Sequence, residues 1–132
     1  MGRTAASPAG VLDYLLKPGY GASLQLIKLE VGGDTNSTDG AEPNHMPTRD
    51  TVDRGQGYQW WLAEQAKARS PDIKLAGLDW GAPGWIGGGN FWSQDTIDYY
   101  LSWFDCAAKV LAYAARGQAE FSEMAARPRR SA

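Results

Sequence analysis

Two groups of side chains in this sequence have types and positions suited to chemistry on a polyhydroxylated ligand. The first is a set of carboxylates. Glu30 and Asp79 each sit at the end of an apolar run, and Asp34, Asp39 and Glu42 lie in the polar stretch after Glu30. Paired carboxyl groups carry out glycoside hydrolysis, at roughly 5–5.5 Å separation for retention of configuration and roughly 6.5–9.5 Å for inversion. The sequence fixes no such distance, and each of these acids reads equally well as a solvated surface group. The second set is aromatic. Trp80, Trp85 and Trp92, half of the six tryptophans, stand with Phe91 in the glycine-rich stretch from Asp79 to Gln94. An indole held on such a loop offers a flat apolar face to the C–H side of a sugar ring. The plain alternative is that Trp85 and Trp92 close the end of a core. Trp80 directly follows Asp79 at a strand end, which favours the platform reading for it.

Other candidates carry less. His45, the one histidine, can touch a ligand or brace its loop, and has no second histidine for a metal pair or a relay. Cys106, the one cysteine, forms neither an internal disulfide nor a cysteine zinc site, and its helical spacing from Trp103 and Val110 makes it a core residue. Asn36-Ser37-Thr38 is a glycosylation sequon, relevant only in a secretory compartment. Gly87-Gly88-Gly89 lacks the strand–GxGxxG–helix context of a phosphate loop. Thirteen basic against fifteen acidic residues give a net charge of −2, with no basic footprint for nucleic acid. No apolar run approaches the roughly 18 residues of a membrane span, and MGRTAASPAG has no apolar core of a signal peptide.

The elements that must position these residues alternate. Val11 to Leu16 reads as the end of a helix, stopped by Pro18 and Gly19. Ala22 to Val31 reads as a strand between Gly21 and Gly32-Gly33; its crowded apolar residues, Leu26, Ile27 and Leu29, suggest cover on both faces, as in a parallel sheet. Gln56 to Arg69 reads as an amphipathic helix with Tyr58, Trp61, Leu62, Gln65 and Ala66 on one face. Ile73 to Leu78 is a second strand, and Thr96 to Ala115 a helix capped by Ser93 or Asp95. Strands alternating with helices build a parallel sheet, whose sites lie on the loops after the strand ends. The two unusual stretches, Val31–Gly55 and Asp79–Gln94, fall there, and the helix-to-strand connections are short. Two strands alone are not independently stable, so the chain reads as part of a larger sheet or barrel, or as dependent on a partner.

Three motifs are more specific: KP-x-x-GASL from Lys17, the GGD…STDG-x-EP-x-H block from Gly32, and W-x-x-PGW-x-G-G from Trp80. With their spacing, they resemble glycoside hydrolase family 59 over about Val11 to Lys109. The resemblance implies an α/β fold, a partial (β/α)8 TIM barrel of roughly two βα units with a preceding helix. That partial catalytic barrel would occupy residues 11–113, followed by a divergent Ala/Arg-rich tail over 114–132 that looks like a shifted reading frame. It implies a retaining β-galactosidase acting on galactosyl sphingolipids, in which Thr38 and Trp80 contact the galactose. Glu42 and His45 take no direct substrate role, and no metal or organic cofactor is implied.

The departures from the family limit this reading. The family's acid/base glutamate follows an asparagine at the next strand end, and its nucleophile comes later; this sequence contains no Asn-Glu pair. No counterpart of the first barrel strand is read before Val11. A full barrel takes about 250 residues. The chain is therefore expected to hold part of the site for a galactosyl lipid or β-galactoside substrate, to show no turnover by itself, and to need the rest of the barrel for a closed fold. The competing readings are a non-catalytic galactose-binding module and a truncated product without function. Family members act in lysosomes or outside cells, and the sequence names no compartment.

Overall fold

The computed structural model describes residues 7–34 and 42–126, with side chains to residue 112. Helix α1, Pro8–Leu16, opens with Pro8 at a first-turn position and the Ser7 hydroxyl accepting the Gly10 amide at 3.2 Å. It stops at Lys17, whose backbone turns extended ahead of Pro18. Strand β1 is Leu26–Val31, shorter than the expected Ala22–Val31. The four residues before it turn back along α1 instead, with the Ala22 amide on Tyr14 O and the Leu24 amide on Leu15 O, both at 2.8 Å.

Helix α2, Gln59–Arg69, and strand β2, Lys74–Asp79, complete a right-order β–α–β unit. The two strands pair in parallel from Leu26↔Lys74 to Val31↔Asp79, as the alternation of elements predicts. On β1 the side chains of Leu29 and Val31 are buried toward the helices, whereas Leu26 is 56% exposed on the opposite face. The expectation of cover on both faces therefore holds for one face only among the described residues.

The buried side of α2 matches the predicted one only in part. Ala66 is buried as expected, against Leu16 and Ile73, but Tyr58 and Trp61 are exposed, and Ala63 is buried with Trp60 packed at the core edge. Ala63 faces helix α3, Gln94–Ala126, where Trp60 meets Trp103 at 5.2 Å between ring centroids. Helix α3 starts two residues before the expected Thr96 and continues past Ala115. Its buried stripe is Tyr99, Trp103, Cys106 and Val110, so Cys106 is a core residue as its spacing predicts. Neither expected cap serves α3 as a side-chain cap. The Ser93 hydroxyl has no partner among the described residues, and Asp95, inside the first turn, bonds outward to the Gly87 amide at 2.8 Å and to Arg49.

Candidate substrate-binding site

Parallel pairing sets the ends of β1 and β2 side by side, with Glu30 opposite Leu78 and Val31 opposite Asp79. The chains then run so close that a Cβ on Gly33 would overlap the Gly81 carbonyl, which explains a glycine there. Two tyrosines of α3 lock this end. The Tyr99 hydroxyl donates to Gly32 O, and the Tyr100 hydroxyl donates to Asp79 Oδ2 at 2.5 Å. Burial raises both phenols, Tyr100 to about 12 with the Asp79 carboxylate adding to the effect. The other Asp79 oxygen accepts the Gly81 amide at 2.9 Å. Asp79 is thus committed to holding its own loop.

The polar stretch after β1 is anchored at its base. Asp34 takes a left-handed conformation, φ 59, and its carboxylate accepts the Asn44 amide at 2.9 Å and the Asn44 side chain. Its own amide donates to Glu42 O. Glu42 and His45 are then buried, at 6% and 3% exposure, so His45 braces the loop rather than facing solvent. The Glu42 carboxyl lies against the Gln59 side chain and the Gln59 and Tyr58 amides at the start of α2, its Oε2 buried without a hydrogen-bond partner among the described residues, and burial raises its pKa. Tyr58 provides no side-chain cap, so Glu42 supplies the anion that the first turn of α2 needs. The His45 ring packs on Tyr99 at 4.5 Å, and neither ring nitrogen has a partner among the described residues. Burial, reinforced by Arg54, lowers its pKa to about 4, so the ring is neutral. Thr38 and Asp39 lie outside the described residues.

Glu30 and Trp80 meet in one cleft of about 500 Å³, lined also by Lys28, Tyr58, Gln59 and Leu78. Trp80 is 61% exposed there, available to a ligand. Gln59 Oε1 accepts the Glu30 amide at 2.5 Å. Burial raises the pKa of Glu30, and the nearby Asp79 charge raises it further. Glu30 and Gln59 also border a smaller cavity with Glu42 and His45. The other tryptophans divide. Trp85 closes the core as the plain reading has it, its indole N–H donating to Met46 O at 2.8 Å and its ring edge-on to Tyr99. Trp92 does not: it is 86% exposed, with only Phe91 edge-on beside it. Gln59 and Tyr58 were absent from the expected site. The sequence showed them only as part of a helix and gave no sign of their reach toward Glu30. Among the described residues, no group of three or more His, Cys, Asp or Glu is placed to hold a metal ion, and no helix is long and apolar enough to cross a membrane.

The parallel strand ends thus carry an exposed indole and a carboxylate on one cleft. The family model for glycosyl hydrolase family 59 matches residues 4–114, and the chain belongs to that family. It is 48% identical over 97 residues to the galactocerebrosidase of Danio rerio, a match covering 70% of this chain and 15% of that relative. It is 47% identical over 97 residues to the galactocerebrosidase of Homo sapiens, covering 70% of this chain and 14% of that relative. A putative galactocerebrosidase of Caenorhabditis elegans is 33% identical over 94 residues, with 70% and 14% covered. The chain thus spans about 15% of the length of the curated relatives it matches.

Proposed function

We propose that residues 11–113 form the galactose-binding part of a (β/α)8 barrel, in a retaining β-galactosidase that hydrolyses galactosyl sphingolipids, with residues 114–132 as a divergent tail. The observation that carries this reading is Trp80, exposed directly after β2 and sharing a cleft with Glu30. In this role the Trp80 ring stacks on the apolar face of galactose, and Thr38 contacts the same sugar from the loop after β1. The open face of the sheet, with Leu26 and Lys28 exposed, agrees with a barrel interior completed by further strands. Hydrolysis with retention proceeds by acid-assisted attack of one carboxylate, a galactosyl-enzyme intermediate and its hydrolysis. That pair of glutamates is not assigned within this sequence, which has no Asn-Glu pair.

The test is direct. The purified chain is titrated with methyl β-galactoside while its tryptophan fluorescence is followed, and separately incubated with a chromogenic β-galactoside. Saturable quenching that disappears in Trp80→Ala, without turnover, is the expected result. Turnover abolished by Glu30→Gln or Glu42→Gln would overturn the assignment of catalysis to residues outside this chain.

A further inference from the structure

We propose that Glu30 is a substrate-positioning residue: its carboxylate accepts hydrogen bonds from hydroxyl groups of the sugar stacked on Trp80. The inference rests on the galactose-binding reading and adds a residue and a chemical role to it.

Four acids among the described residues stand near the strand ends. Asp34 holds Asn44, and Asp79 holds the Tyr100 hydroxyl and the Gly81 amide. Glu42 lies buried against the start of α2 and does not line the Trp80 cleft. The Glu30 carboxylate accepts no hydrogen bond and forms no ion pair with the described residues, although its amide is fixed at 2.5 Å by Gln59. Glu30 is only partly buried, on the wall of an open cleft, so its carboxylate can accept hydrogen bonds from a ligand's hydroxyls in place of water. Its position suits that task. Glu30 pairs with Leu78 in the parallel register, and Trp80 lies two residues further, so the two side chains border the same cleft. A sugar lying on the indole would turn its C–H face to the ring and its hydroxyl rim toward the strand end. A carboxylate has only acceptors, so it selects for donor hydroxyls, and two oxygens can take a vicinal pair. A position at a strand end, braced by Gln59, holds the acceptor more rigidly than the loops can.

The experiment compares wild-type chain, Glu30→Gln and Trp80→Ala, each titrated with methyl β-galactoside by tryptophan fluorescence at several pH values, with circular dichroism to verify the fold. Glu30→Gln keeps the size and one acceptor, and is expected to weaken binding roughly tenfold. Wild-type affinity is expected to fall as acid protonates Glu30, and Glu30→Gln to flatten that profile. Lys28 on the same strand, Asp79 on β2, Glu42 beside the strand end, His45 across the smaller cavity and Tyr58 at α2 also border this region, and all five are unchanged in the variant. Binding by Glu30→Gln with wild-type affinity and wild-type pH dependence, while Trp80→Ala loses it, would overturn the role of Glu30 and leave the galactose-binding reading intact. No saturable quenching by the wild-type chain would overturn both.

Discussion

Gln59 bridges to Glu30: from the first turn of α2 its Oε1 accepts the Glu30 amide at 2.5 Å, and its side chain lies against the Glu42 carboxyl. One side chain thus touches the end of β1, the start of α2 and the return of the long loop. Replacing it with leucine keeps the bulk and removes the bond. The Glu30 amide would lose its partner, and a lost partner of a buried group costs about 1–3 kcal/mol. We expect Gln59→Leu to lower the urea midpoint with an unchanged slope. A midpoint equal to that of the wild type would show that the bridge holds nothing in place.

His45 gives the fold an acid-sensitive element. Its folded pKa, about 4, lies below the ordinary value of 6.5, because the ring is buried. The unfolded chain therefore binds the proton more readily, and the stability owed to His45 is complete above 6.5 and lost as the pH falls toward 4. Glu30 and Glu42 act with the opposite sign. Their folded pKa values are raised, so their contribution is present below 4.5 and lost as the pH rises through the folded values. Comparing the wild type with His45→Gln isolates the histidine. The stability advantage of the wild type should shrink steadily between neutral pH and the acid end of that window. An advantage that stays constant with pH would mean that the ring remains neutral or charged in both states.

The parallel pair was legible because strand-like runs alternate with helical ones along the chain. The site's general location followed from that topology. The buried face of α2 was legible only at Ala66: Ala63 is a weak hydrophobic signal beside Tyr58 and Trp61, and its burial depends on α3, far along the chain. Glu42 and His45 were also hidden. Nothing in a stretch of Asp, Asn, Ser and Thr marks which polar residues will be buried. Burial there depends on the start of α2 and on Tyr99, far along the chain.

Asp95 and Arg49 form a pair of unequal members. Asp95 is buried at 7% exposure and also takes the Gly87 amide at 2.8 Å, whereas the Arg49 side chain is 58% exposed. Removing Arg49 leaves a carboxylate that still has an amide donor, and exposed ion pairs contribute about 0–1 kcal/mol. Removing Asp95 leaves the Gly87 amide without its acceptor in the turn that precedes α3. We expect Asp95→Ala to cost about 1–3 kcal/mol, and Arg49→Ala distinctly less, by chemical denaturation. Equal losses in the two variants would mean that the ion pair, not the amide bond, carries the effect.

Trp80 and Trp85, five residues apart, should separate binding from folding. Trp85 donates its indole N–H to Met46 O at 2.8 Å and packs edge-on to Tyr99, with Arg49 stacked 5.5 Å from its ring centre. Cutting it to alanine removes that bond and opens a cavity in the core, and such changes cost about 3–5 kcal/mol. A chain of this size, with marginal stability of about 5–15 kcal/mol at best, would melt at a much lower temperature. Trp80 is 61% exposed and makes no side-chain hydrogen bond among the described residues, so Trp80→Ala should leave the melting temperature close to that of the wild type. Its loss should appear in galactoside binding instead. Melting curves and fluorescence titrations of both variants, run side by side, decide the matter. If Trp80→Ala destabilised the chain as much as Trp85→Ala, its ring would be a packing residue and the sugar platform would have to lie elsewhere.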